Sequence, residues 1–139
     1  WETVDRAVKR VVADHLDDMD AVEGRAALLG IRSFLIDTLV PHEEDEDRAV
    51  YPLLAAAIGT DDATAALHRT HTEIFHLIRL FGRIVDEIGI DGPTADDRTD
   101  VQRALYGLDA ILRLHMAQEE ELYASIDAEA SSGLATSPA

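Results

Sequence analysis

From Val101 to Ile126 the chain places Leu105, Leu108, Leu112, His115, Glu119 and Leu122 at steps of three and four. That spacing is one face of a helix seven turns long, and it leaves no room for a strand. Three further stretches share the period. Val4, Val8, Val11, His15, Met19, Val22 and Ala26 form the first stripe. Ile31, Leu35, Leu39, His42, Glu46, Ala49 and Leu53 form the second. Leu67, His71, Ile74, Ile78, Phe81, Val85 and Ile88 form the third. No segment alternates apolar and polar residues for long. The expected fold is all-α, an up-down-up-down four-helix bundle spanning residues 1–130, with a small, polar, flexible tail over 131–139.

Local signals set the expected boundaries. Gly30 would end the first helix. GTDD at 59–62 would introduce the third, with Asp61 or Asp62 as its cap. GIDGPTADD at 89–97 is the strongest loop signal. Pro41 and Pro52 fall inside the second stripe, and each should kink it or end it. Asp20 and Glu23 offer a capping box that would start the second helix earlier than Gly30 allows.

Each stripe carries one histidine, and two add a glutamate four residues later: HEEDE at 42–46 and HMAQE at 115–119. In an up-down bundle, residues at one height are equidistant from the turn between them. His71 and His115 centre on Pro93, Glu46 and His71 beside Gly59, and His15 and His42 beside Leu29 and Gly30. His15, His42, Glu46, His71, His115 and Glu119 can therefore meet in one core layer. His68 lies at the edge of the third stripe, and His76 points to solvent. The acidic run EEDED reads as a solvated face.

Buried, unpaired carboxylates cost several kcal/mol each, on the order of what a small domain can spare. Cations would remove that cost. Imidazole and carboxylate without thiolate suit iron or manganese, with zinc next. The chain has no cysteine, which excludes disulfides, thiolate metal sites and cysteine nucleophiles. Its net charge of −16 makes nucleic acid and anionic membranes poor partners. No apolar run reaches membrane-spanning length, and no signal peptide is visible, so the default expectation is cytoplasmic.

At these residues the chain resembles the hemerythrin-like (HHE cation-binding) family. The matching pieces are His15, HEEDEDRAVYPLL at 42–54, LHRTHTEI at 67–74 and LRLHMAQEEELY at 112–123. The resemblance implies two iron ions with an oxo or hydroxo bridge. His15 and His42 would hold one, His71 and His115 the other, and Glu46 and Glu119 would bridge. Oxygen-carrying members place a second histidine four residues after the first on the third helix, where this chain has Phe75. Their last motif is also spaced differently. Fewer histidines imply open positions and redox chemistry with O2, peroxide or NO, including a peroxide-degrading or NO-related enzyme. His68, Tyr51 and Tyr123 are the candidates for the surrounding shell. The competing reading is a metal-free bundle whose His and Glu form a polar layer, serving as an interaction or structural module.

Overall fold

The computed structural model describes residues 2–135, with side chains at 6, 9, 10, 12–128 and 130. Among the described residues there is no strand. Helix α1 spans Glu2–His15 and runs into a 3-10 turn at Leu16–Asp18. Helix α2 (Ala21–Phe34), a π turn (Leu35–Leu39), α3 (Val40–Asp45), a second π turn (Glu46–Val50) and α4 (Tyr51–Ile58) follow as one helical run. Helices α5 (Asp62–Glu87) and α6 (Ala95–Ala135) complete a helical bundle. Among the described residues, no helix is long and apolar enough to cross a membrane.

The first turn lies earlier than Gly30. The Asp20 carboxylate accepts the Glu23 backbone N–H at 2.8 Å, which caps α2 and fixes its start. Gly30 sits inside α2, where nothing stops the helix. The other turns fall where the sequence puts them. Gly59, at φ 86°, takes the left-handed conformation that closes α4. Before α6, Thr94 and Asp97 satisfy each other's backbone N–H groups in a capping box, at 2.9 and 3.1 Å. Helix α6 runs on to Ala135, so the first five residues of the expected tail are helical. Thr136–Ala139 lie outside the described residues, as do the side chains of Val4, Val8 and Val11.

Neither Pro41 nor Pro52 ends the second run. Immediately before each, the backbone widens by one residue. Val40 N–H bonds to Leu35 O and Tyr51 N–H to Glu46 O, both five residues back. The π turn absorbs the place where proline offers no donor and its ring crowds the preceding turn. It also rotates everything after it relative to an unbroken α-helix.

Cross-links fix the antiparallel packing. Gln102 Nε2 donates to Ala13 O at 2.9 Å and Arg10 pairs with Asp109 at 3.3 Å, which sets α1 against α6. Arg32 and Asp86 pair α2 with α5 through two bonds, one of 3.0 Å. The core is continuous through Leu16, Leu28, Leu35, Ile74, Phe81, Leu105 and Leu108, all at most 1% exposed. By area, a side chain of this size contributes roughly 1.5–3 kcal/mol when buried. Apart from Lys9 and Asp109, the buried polar residues gather toward one end of this core.

Candidate metal centre

Beyond Leu39 the inward face of the second run changes from aliphatic to acidic. On an uninterrupted helix, His42 would follow Leu35 and Leu39 inward. The π turn at Leu35–Leu39 adds a residue, so Glu43 takes the buried place and is 2% exposed. The second π turn then sets Glu46 and Tyr51 on one inward face, at 7% and 4% exposed. From α5 comes His71, wholly buried, and from α6 comes His115 at 2% exposed, with Glu119 one turn further.

These groups converge. His71 Nε2 and His115 Nε2 are 2.9 Å apart. Glu43 Oε2 lies against His71 Nε2 and 3.3 Å from His115 Nε2. His115 Nε2 is 3.1 Å from Glu119 Oε1. The Tyr51 hydroxyl donates to Glu119 Oε1 at 2.8 Å and lies 3.0 Å from His71 Nε2 and 3.4 Å from His115 Nε2. One ligand atom from each of Glu43, Glu46, His71 and His115 falls within 4.8 Å of the others, a set that could hold a metal ion.

Behind the cluster, Asp47 accepts from His71 Nδ1 at 2.9 Å and from His68 Nδ1 at 3.0 Å. A His71 that donates its Nδ1–H to Asp47 can offer the Nε2 lone pair to a metal ion. That is the usual way a metal-binding histidine is oriented.

Protons balance the charges when the cluster is metal-free. Burial, together with the neighbouring Glu119 and Glu43 carboxylates, pushes Glu46 up to about 10. Burial also favours neutral forms at Glu43, Glu119 and His115, but their mutual bonds win. Close contact with the His115 and His71 imidazoles holds Glu43 well below the usual carboxylate range. Bonds from His115, Glu46 and Tyr51 bring Glu119 down to about 2. His115 rises to about 9 through Glu119 and Glu43. Burial and the adjacent Glu119 push the Tyr51 phenol far up.

The donor set fits a cation. Two imidazole nitrogens and several carboxylate oxygens face one another rather than a set of donors. Glu43 Oε2 and His115 Nδ1 are buried with no aligned hydrogen bond. Nitrogen and oxygen ligands without thiolate match iron or manganese.

The structure brings His71, His115, Glu46, Glu119 and Tyr51 together and leaves the other candidates outside. His15 ends α1 with its side chain 63% exposed, 3.9 Å from Asp18. With the turn at 16–20, His15 and His42 are no longer equidistant from it. Since Ala13 lies level with Gln102, His15 sits about 20 Å along the bundle from His115, at 1.5 Å per residue. His42 is at the right height but on the outer side, its side chain 45% exposed and its Nε2 3.2 Å from Glu46 Oε1. His68 is exposed and touches the cluster only through Asp47. Tyr123 is 41% exposed. Glu43 and Asp47, which read as members of a solvated acidic run, were the residues that sequence reasoning missed. The available signal was Pro41, across which a 3.6-residue period cannot be carried unchanged.

Fold and site together define a helical bundle with a buried His/Glu centre of the cation-binding kind. The family model described as Hemerythrin HHE cation binding domain matches residues 2–126, and the chain belongs to that family. No curated protein and no solved structure matched it.

Proposed function

We propose that the chain is a non-heme di-iron protein that binds or reacts with small oxidants, namely O2, peroxide or NO. The observation that carries this reading is the meeting of His71 Nε2 and His115 Nε2 at 2.9 Å amid buried carboxylates. His71, His115, Glu46 and Glu119 are the residues to hold the metal, with the carboxylates able to bridge two ions. Iron, when bound, supplies one-electron redox chemistry toward these oxidants.

The chain's own groups prepare the site. Asp47 fixes the tautomer of His71. Tyr51 keeps a proton on a hydroxyl that faces both ring nitrogens and Glu119, within reach of anything bound between them. Phe75 packs beside His71, ring centroids 6.1 Å apart, and puts an apolar wall where oxygen carriers have a further histidine. Such a wall excludes water and admits small, weakly polar molecules.

The test is to load the protein anaerobically with ferrous iron and mix it with O2, peroxide or an NO donor, following near-ultraviolet and visible absorption. A saturable spectral change with at least one of the three is expected. An iron-loaded protein inert to all three would contradict the reading. A protein that takes up no iron would favour the metal-free polar layer, for which the Tyr51–Glu119 hydrogen bond already gives a basis.

A further inference from the structure

We propose that the groove between the second helical run and α5 binds a small molecule with an apolar body and a single carboxylate. Ile36 and Val40 line it from the second run, and Phe75, Ile78 and Gly82 from α5, around a volume of about 700 Å³. Small-molecule sites enclose roughly 300–1,000 Å³. The groove runs about 16 Å along α5, from Phe75 to Asp86 at 1.5 Å per residue. Ile36 stays 45% exposed on its wall, apolar surface that a bound apolar body would cover.

Gly82 deepens the groove. It lies inside α5, where glycine weakens a helix relative to alanine. Its φ is not positive, so the backbone does not require glycine. Packing does not require it either, since a Cβ there would meet Arg32 Nε at 3.7 Å, an ordinary contact.

The charges select the ligand's head. Three guanidiniums and two carboxylates line the groove, which leaves one positive charge in excess on a chain of net charge −16. Arg32 is already paired with Asp86. Arg79 and Arg83, one turn apart on α5, have no hydrogen bond or ion pair among the described residues. Guanidinium groups so placed suit the two oxygens of one carboxylate. Glu44, which also lines the groove, opposes a second negative charge and so disfavours phosphate. The groove shares no residue with the His/Glu centre. Phe75 lies between the two, its ring centroid 6.1 Å from that of His71. The proposal therefore stands whether or not the centre holds metal.

Isothermal calorimetry of the full chain with octanoate, octanol and inorganic phosphate tests it. One saturable octanoate site per chain is expected, with octanol and phosphate each bound at least about tenfold more weakly. The Arg79→Gln/Arg83→Gln double variant changes only exposed positions and should fold as wild type by circular dichroism. Its affinity for octanoate should fall at least about tenfold. In methyl NMR spectra, Ile36, Val40 and Ile78 should shift on binding. Leu77 and Ile84, which line a separate groove beside α6, should not. No saturable binding, equal affinity for octanol or phosphate, undiminished binding by the double variant, or shifts centred on Leu77 and Ile84 would overturn the proposal. So would a wild-type dimer in sedimentation that the double variant breaks, because a second copy of the chain would then fill the groove.

Discussion

His115 shows how one residue serves two states of the site. Without metal, it holds a proton for Glu43 and Glu119, and its imidazole rises to about 9 although burial opposes this. Glu46, by contrast, keeps its own proton and is pushed up to about 10, mainly by burial. Both groups have folded values above their unfolded ones. The native chain therefore holds more protons than the unfolded chain, and stability falls as pH rises. The loss from His115 begins near its unfolded value of about 6.5 and continues through its folded value. Glu43 and Glu119 are shifted the other way and titrate below this window. Metal ligation displaces these protons and reverses the trend, because ligands must be deprotonated to bind. Metal-free protein should thus melt at a lower temperature at pH 9 than at pH 6.5. The stabilisation conferred by metal should grow over the same interval. Scanning calorimetry across that range checks both, and a metal-free melting temperature that rises with pH would refute the protonation scheme.

At the scale of the element, the second helical run decides what the site is made of. Its stripe of Ile31, Leu35 and Leu39 was legible, and so were the turns at Gly59 and around Pro93 that bring His71 and His115 level. Those turns rest on local chemistry that a sequence displays: a left-handed glycine, a Thr–Asp capping box, a proline. The inward place of Glu43 was not legible, because it depends on a π turn, and proline marks only that the α-helical ladder must change nearby. The placement of His15 failed for another reason. Two start signals competed, and the Asp20 cap prevailed over the glycine at 30. The long turn also carries a packing constraint. Gly92 adopts φ +84°, and a Cβ there would stand 2.7 Å from Ala21 Cβ and 2.8 Å from Ala21 Cα. Gly92→Ala should destabilise the fold by about 1–3 kcal/mol in urea unfolding, from the left-handed backbone together with the clash. An unchanged midpoint would show that the α5–α6 turn does not pack on α2 as described.

Across the whole molecule, apolar and polar material are segregated along the bundle axis. The aliphatic layers from Leu16 to Leu112 carry the fold, and the His/Glu layer interrupts the core where α3, α5 and α6 meet. A chain of net charge −16 gathers three of its carboxylates there, Glu43 and Glu46 buried and Glu119 half-buried, where self-repulsion works against compactness. A tightly bound cation would make that arrangement favourable. The direct test is elemental analysis of the wild-type chain beside His115→Ala, each loaded with ferrous iron and freed of loose metal. About two irons per wild-type chain are expected, the count of a carboxylate-bridged pair in a helical bundle, with loss of at least one in the variant. Wild type without iron, or a folded His115→Ala chain with the full complement, would contradict it.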